Sequence, residues 1–244
     1  MGELIAVLSG KGGTGKTSIC AGISVALALA GCRVLCIDCD VGLRNLDIAL
    51  GLSDTPAISF QEVCSGIYSL EDALPHPVYP NLRFMTAPVS CTAGDIDPAA
   101  FQKMLAKARE AFDYVLMDAP AGIEEGFNLT AAPADRILLV TGPDPAAIRD
   151  AARAGQVLEQ LGKADVRLIV NRITRRIASA LNLTVDDIMD TAGLPLIGLV
   201  PEDQNVTLAA AYRQPLLGFT QRGASAACRR IAKRLQGRSV PVRI

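Results

Sequence analysis

The sequence predicts an α/β fold with a mostly parallel, doubly wound sheet that is flanked by helices. Apolar runs rich in β-branched residues alternate with amphipathic or alanine-rich stretches along the chain. These runs are apolar throughout rather than alternating, which is typical of parallel strands covered on both faces. Glycine- and aspartate-rich segments directly follow several runs, and parallel strands bring such segments together at one edge of the sheet.

The elements follow from this alternation in chain order. The candidate strands are residues 4–8, 33–37, 82–86, 114–117, 136–140, 167–170 and 196–200. The candidate helices are residues 16–30, 99–111, 146–161, 185–191, 207–212 and 224–235. Alternating strands and helices give parallel βαβ units. Because no repeat or Gly/Ser linker interrupts the pattern, residues 1–237 are predicted to form one domain, followed by a short basic and apolar tail at 238–244.

Composition limits the partners. The 244 residues are 50% hydrophobic and 20% charged, which suits one large domain with a substantial core or at most two small domains. The net charge of −1 gives no overall attraction to nucleic acid or anionic lipid. Residues 222–244, however, contain seven basic residues and no acidic one. This basic end is either a solvated helix face or an electrostatic binding surface.

The remaining composition indicates an intracellular chain. No targeting segment is visible, no early apolar stretch is long enough to span a bilayer, and we expect a cytoplasmic protein. The odd number of cysteines, seven, fits reduced thiols better than disulfides. Cys36 and Cys39 form a C-x-x-C, but side chains three apart on a strand face opposite ways. The only histidine, His76, lies in the proline-rich segment LPHPVYP and is expected to be exposed.

The segment SGKGGTGKTS contains a phosphate-binding loop. Gly10-x-x-x-x-Gly15-Lys16-Thr17 matches the Walker A pattern between a strand and a helix, which is the context that the motif requires. Its glycines let backbone N–H groups approach phosphate oxygens, and the start of the helix adds positive potential. Lys16 should hold the β- and γ-phosphates, and the Thr17 hydroxyl should bind Mg²⁺. The fold class is therefore a P-loop NTPase, although the motif does not explain its second lysine, Lys11.

Three carboxylates follow neighbouring strands. Asp118 ends the strand YVLMD, where a Walker B aspartate holds Mg²⁺. Asp38 ends the strand VLCID, and Asp40 lies two residues further on. One of these two can orient or deprotonate the attacking water while the other supports the metal. We predict a metal site at Thr17, Asp38 and Asp118.

Several segments resemble the MinD/ParA group of P-loop ATPases. KGGTGKT resembles its deviant Walker A motif, KGGxGKT, while IDCDVGLRNLDIALG at 37–51 and MDAPAGIEEG at 117–126 resemble its two nucleotide-sensing switches. LIVNRI at 168–173 and LIGLVPEDQNV at 196–206 resemble the segments that contact adenine and close the nucleotide site. GLRNLD and PAGIE are more typical of the MinD branch than of the ParA branch.

The resemblance implies an ATPase that dimerises face to face around two ATP molecules, with ATP and Mg²⁺ as its ligands. Lys11 would reach the phosphates of the other subunit, as an arginine finger does. Asp40 would position the hydrolytic water, Asp118 would sense the metal, Asn171 would hydrogen-bond adenine, and Arg172 would stack on the base or bridge the subunits. The implied nucleotide-binding residues are Gly10, Lys11, Gly12, Gly13, Thr14, Gly15, Lys16, Thr17, Ser18, Asn171, Arg172, Pro201, Glu202 and Asp203. Lys11, Lys16 and Asp40 form the implied catalytic set.

The resemblance also implies a role in division-site placement. The expected partners are a second copy of the chain, a MinC-like division inhibitor and a MinE-like or other topological regulator, at the inner face of the membrane. Members of the MinD branch generally bind membrane through a C-terminal amphipathic helix. Here GRSVPVRI resembles only the preceding linker, and Pro241 excludes a continuous helix, so we expect weak anchoring at most.

Three alternatives remain open at this point. The basic end favours a DNA-partitioning ATPase of the ParA type, although the balanced charge and the switch segments argue against nucleic acid. A flagellar-number regulator would share the site chemistry and differ in its partners. A metal-cluster carrier would need cysteines that bridge a subunit interface, whereas Cys64 and Cys91 lie outside the motif loops and Cys228 lies in the last helix, which argues against it.

Overall fold

The strands of the computed structural model form a single sheet within the described residues, which are 1–41, 43–89, 92–174 and 184–243. The strands are β1 (Glu3–Leu8), β2 (Val34–Asp38), β3 (Leu74–Pro75), β4 (Leu82–Met85), β5 (Tyr114–Asp118), β6 (Arg136–Thr141), β7 (Val166–Ile173) and β8 (Leu196–Pro201). Their order is β3-β4-β2-β5-β1-β6-β7-β8, and all neighbours are parallel except β3 and β4. The predicted fold class is confirmed.

The helices lie on both faces of the sheet. They are α1 (Lys16–Leu29), α2 (Leu46–Ala49), α3 (Phe60–Cys64), α4 (Pro98–Ala111), α5 (Glu125–Ala131), α6 (Pro145–Gln160), α7 (Val185–Ala192), α8 (Asn205–Ala211), α9 (Leu216–Phe219) and α10 (Ala224–Leu235). Six of these helices were predicted from the sequence. The prediction missed α2, α3, α5 and α9, which have four to seven residues and are too short to show a helical period. Gly42, Cys91 and Ile244, which fall in segments discussed above, lie outside the described residues.

Two apolar layers cover the sheet. Leu4, Ala6 and Leu8 of β1 belong to one layer, which includes residues of α4 and α6. Ile5 and Val7 belong to the other layer, which includes residues of α1 and α10. Successive side chains of a strand point to opposite faces, so an apolar strand supplies both layers. With both faces covered, the carboxyl edge of the sheet is where polar side chains gather.

Helix α1 is packed tightly against α10, which fixes the start of α1 at that edge. A Cβ atom added to Gly22 would lie 2.7 Å from the Cys228 sulfur, so the two helices approach at van der Waals contact. Ile23 and Leu27 are fully buried on the same helix. Because α1 has little freedom to shift, its first residue, Lys16, occupies a defined place.

The last part of the basic end, residues 240–243, folds back along α10. Arg234 donates to the carbonyls of Val240 (3.0 Å) and Pro241 (2.8 Å), and Arg230 donates to that of Arg243 (3.1 Å). Part of the basic charge of this end is therefore used to bind the tail. None of the described helices is both long and apolar enough to cross a bilayer.

The expectation that His76 is exposed is wrong. Its side chain is only 4% exposed. The ring Nε2 lies 2.9 Å from the Leu50 carbonyl, and Nδ1 accepts hydrogen bonds from the N–H groups of Val78 and Tyr79. The imidazole thus ties the turn after β3 to the end of α2. Proline-rich surroundings indicated a loop but gave no sign that this loop folds over a ring.

The buried imidazole gives a pH-dependent stability. Burial lowers the pKa of His76, so its contribution is present above its ordinary pKa and is lost as the pH falls through the lowered value. Between about pH 7.5 and about pH 5.5, we expect the wild type to lose up to about 1 kcal/mol more than His76→Gln in urea unfolding. Parallel pH profiles for the two proteins would contradict this assignment.

Candidate functional site

The carboxyl ends of β2, β5 and β1 place three candidate groups side by side. Asp38 of β2 is in register with Asp118 of β5, and Asp118 is also in register with Val7 of β1. The phosphate loop starts at Gly10, three residues after Val7, and leads into α1. Parallel pairing alone therefore brings the loop, Asp38 and Asp118 to one place.

The loop has the backbone conformation of an anion cradle. Gly13 (φ 78°) and Gly15 (φ 83°) both lie in the left-handed region, where residues with a side chain are strained. A side chain at Gly15 would also collide with the Asn171 amide. Gly15 precedes α1 and provides no side-chain cap, so the first N–H groups of α1 face the loop without a capping oxygen. Such groups suit phosphate.

Lys16 and Asp118 form a buried ion pair beneath the loop. The Lys16 Nζ lies 2.7 Å from Asp118 Oδ1, and the side chains are 6% and 1% exposed. Burial raises the pKa of Asp118, while Lys16 and a hydrogen bond from Thr17 lower it. The carboxylate therefore depends on nearby positive charge to stay ionised. A divalent cation beside Asp118 and Thr17 would meet the same need.

Asp38 and Asp40 occupy different positions. Asp38 is buried, and its two oxygens accept the N–H groups of Asp40 (2.9 Å) and Leu46 (3.1 Å). Burial, and then the charge of Asp118, raise the pKa of Asp38 to about 7. Asp40 is half-buried, lines a cavity of about 480 Å³ that opens at the phosphate loop, and has its pKa raised chiefly by burial. Asp38 thus holds the backbone at Asp40 and at Leu46, whereas Asp40 itself lines the cavity.

The donor set fits Mg²⁺ held partly by another molecule. Thr17, Asp38 and Asp118 offer hard oxygen donors, which Mg²⁺ prefers. Among the described residues, however, no group of three or more His, Cys, Asp or Glu side chains could hold a metal ion by itself. Mg²⁺ commonly completes its shell with water and phosphate oxygens. The site is consistent with a metal that arrives with a phosphate ligand.

Lys11 points away from the buried pair. Its Nζ lies 3.3 Å from Asp144 Oδ1, and the two side chains are 37% and 55% exposed. Asp144 also caps α6 by accepting the Ala147 N–H, and this bond, more than Lys11, lowers the pKa of Asp144. Exposed ion pairs contribute little free energy, so the Lys11 ammonium can be released at small cost.

Two adjoining cavities open at the loop. The larger, about 480 Å³, is lined by Gly12 to Ser18, Asp40 and Arg172. The smaller, about 150 Å³, is lined by Asn171, Pro201, Glu202 and Asp203 and shares Gly15, Ser18 and Arg172 with the larger. Gly10 lies against the backbone of α6 instead. Asn171 donates its amide to the Thr14 carbonyl at 2.8 Å, which joins the loop to β7.

Some lining residues were missed by sequence reasoning. Val206 and Thr207 of α8 and Leu216 of α9 line both cavities. Leu43 and Ile48 line the larger one. Thr207 and Leu216 lie outside the segments that resemble the family, and only the tertiary fold identifies them. Leu43, Ile48 and Val206 fall within those segments, but their apolar side chains indicated no specific role. The sequence indicated only that Asp144, which precedes Pro145, caps the start of a helix. Its contact with Lys11 was not predictable, because the two residues are 133 positions apart.

The buried pair predicts a large stability effect without nucleotide. Asp118→Asn leaves the Lys16 ammonium buried without a counter-charge, and we expect a loss of about 3 kcal/mol of unfolding free energy in urea. Asp113→Asn is the matched control, because Asp113 pairs with Arg33 at the surface (side chains 43% and 58% exposed). Its unfolding midpoint should change far less. Equal losses in the two variants would refute the special role of the buried pair.

Comparisons with known proteins agree with this geometry. A family profile described as the CobQ/CobB/MinD/ParA nucleotide binding domain matches residues 5–216. The septum site-determining protein MinD of Bacillus subtilis (strain 168) is 36% identical over 248 residues, which take in 100% of this chain and 92% of that protein. The MinD of Thermotoga maritima is 37% identical over 246 residues, with 99% and 91% covered.

Solved structures extend the likeness to three dimensions. The MinC:MinD cell division protein complex of Aquifex aeolicus contains a chain that matches with a TM-score of 0.91 at 35% identity, covering 99% of this chain and 98% of that one. On the family profile and the full-length identity together, the chain belongs to the CobQ/CobB/MinD/ParA nucleotide-binding family, within its MinD group.

Proposed function

We propose that this chain is a Mg²⁺-dependent ATPase that works as an ATP-dependent dimerisation switch in division-site placement. The observation that carries the proposal is the different placement of its two lysines. Lys16 is buried beneath the phosphate loop, whereas Lys11 is held at the rim by a weak surface ion pair. Full-length likeness to septum site-determining proteins supplies the biological setting.

The roles within one subunit follow from charge. A bound triphosphate offers Lys16 a new anionic partner in place of Asp118. Asp118 and Thr17 would hold Mg²⁺, with Asp38 beside them. When bound, the metal supplies positive charge to the phosphate oxygens. Asp40 lines the cavity and would orient the attacking water, since its raised pKa suits a group that accepts a proton.

The second subunit would supply Lys11. A cation delivered across the interface neutralises transition-state charge only in the assembled dimer, so hydrolysis is coupled to dimerisation. Asp38 accepts the backbone N–H groups of Asp40 and Leu46. A γ-phosphate and a metal ion bound beside Asp38 would therefore change the positions of Asp40 and Leu46.

The partners proposed from the relatives are a MinC-like division inhibitor and a MinE-like or other topological regulator. The Aquifex aeolicus relative is described in complex with MinC, which supports the first of these. A DNA-partitioning function is the second candidate, and the acid-free basic end at 222–244 favours it. Part of that charge is occupied by the tail contacts of Arg230 and Arg234, which leaves less for a nucleic acid.

The two lysines should fail in different ways. Lys16→Ala should abolish ATP binding or its productive geometry, because it removes the cation beneath the loop. Lys11→Ala should spare nucleotide binding by the monomer and lose dimerisation and stimulated hydrolysis. Equilibrium binding of a fluorescent ATP analogue, light scattering and phosphate release would measure the three properties.

Lys163→Ala is a control, since this lysine binds the carbonyls of Ala132 and Ala134 away from the loop. Equal losses of ATP affinity in Lys11→Ala and Lys16→Ala would mean that Lys11 acts within its own subunit. The dimeric interpretation of the second lysine would then be withdrawn.

Removing the proposed water-orienting group should trap the dimer. Asp40→Ala with Mg-ATP should elute as a dimer and hydrolyse ATP at least about tenfold more slowly than wild type, because binding remains and general-base assistance is lost. Asp186→Ala, at an exposed position of α7, is the control. A purified Asp40→Ala protein that stays monomeric with Mg-ATP would overturn the switch. Salt-sensitive DNA retardation by the trapped dimer would favour the partitioning candidate instead.

A further inference from the structure

Asp203 lies at the joint between two helices rather than facing the smaller cavity alone. Its Oδ1 accepts the backbone N–H of Asn205 at 2.9 Å and the Asn205 side-chain amide at 2.7 Å. Its Oδ2 accepts the backbone N–H of Ala224 at 3.0 Å. Asn205 is the first residue of α8, and Ala224 is the first residue of α10. One carboxylate therefore binds the starts of both helices.

Neither helix has a side-chain cap of its own. Gln204 before α8 and Gly223 before α10 make no capping hydrogen bond through a side chain. An N-terminal N–H group needs an acceptor, and a carboxylate is favoured there because the helix start is positive. Asp203 supplies that acceptor to both helices, which are separated in sequence.

The Asp203 carboxylate lies close to the backbone of Gly223, which directly precedes α10. Gly223 has a positive φ of 58°, and a Cβ added there would collide with Asp203 Oδ2. The contact between the carboxylate and the start of α10 thus leaves no room for a side chain. A residue other than glycine at 223 would have to move Asp203, α10 or both.

The two helices form one side of the smaller cavity. Val206 and Thr207 of α8 line it, as do Ala224 and Cys228 of α10. Asn171 and Pro201, at the ends of β7 and β8, also line it. The phosphate loop is held by Asn171 and by the buried Lys16 pair. Because α10 is packed against α1, a change at Asp203 would displace α8 rather than α10, which would deform the smaller cavity and leave the loop in place.

We propose that Asp203 is a positioning residue for the nucleotide base, which sets the separation of the two helices that wall the base cavity instead of reading the base itself. This inference rests on the proposed function: with the phosphates of ATP at the loop, the base of the same nucleotide would lie in the adjoining smaller cavity. It assigns Asp203 a different role from direct nucleotide contact, because both of its oxygens already accept hydrogen bonds from the protein.

The test separates base binding from phosphate binding. Calorimetry with Mg²⁺ compares ADP, inosine diphosphate and inorganic pyrophosphate on wild type, Asp203→Asn and Gly223→Ala. Asp203→Asn keeps one acceptor oxygen and replaces the other with an NH2 group, so the side chain can no longer accept the N–H groups at both helix starts. Both diphosphates should bind about tenfold more weakly, while pyrophosphate stays within about twofold of wild type. Gly223→Ala should give the same pattern from the other side of the contact.

Asp190→Asn, at an exposed acidic position of α7, is the matched control and should bind all three ligands as wild type does. Weaker ADP with unchanged inosine diphosphate would show that Asp203 reads the 6-amino group, and would overturn the inference. Equal weakening of pyrophosphate, unchanged diphosphate binding, or wild-type behaviour of Gly223→Ala would also overturn it. Because ADP binding is the readout, absence of ATP-dependent dimerisation would defeat only the proposed switch.

Discussion

The buried contact between Lys16 and Asp118 is the interaction on which the candidate site depends. Two charges removed from water must pair, and here the pair joins the first residue of α1 to the last residue of β5. Since α1 is wedged against α10 and β5 lies between β1 and β2, neither partner can move far. Lys16 lines the large cavity, and its charge is therefore already paired with buried Asp118 before a ligand binds. A bound phosphate would become the partner of Lys16, and a bound metal ion would become the partner of Asp118.

Polar groups around this pair divide into fixed and releasable ones. Asp38 is fixed, because backbone N–H groups bind both of its oxygens. Lys11 is releasable, because its ion pair with Asp144 lies at the surface. Asp38 is therefore in place before a ligand binds, whereas Lys11 can change its partner when a ligand binds. Asp203 belongs with the fixed groups, at the boundary between two helices.

Much of this architecture was predictable from sequence, and the failures have physical reasons. Strands buried on both faces are continuous apolar runs, so β1 and β5 were evident, and the loop of Gly15 and Lys16 has a diagnostic spacing. Short elements such as α2 and α9 depend on tertiary packing and have no period to detect. The burial of His76 was unpredictable because it arises from a fold-back of the chain over Leu50. The partners of Lys11 and Asp203 likewise depend on contacts between distant segments.

The short antiparallel strand β3 has a consequence for self-association. It covers the outer side of β4, and its second residue, Pro75, has no N–H with which to pair a further strand. Arg83 of β4 reinforces this border by donating to the carbonyls of Glu71 and Ala73. Open sheet edges template strand addition and aggregation. The two-residue strand β3 terminates the sheet at this edge. Addition of a further strand is therefore disfavoured there, and association is left to other surfaces of the molecule.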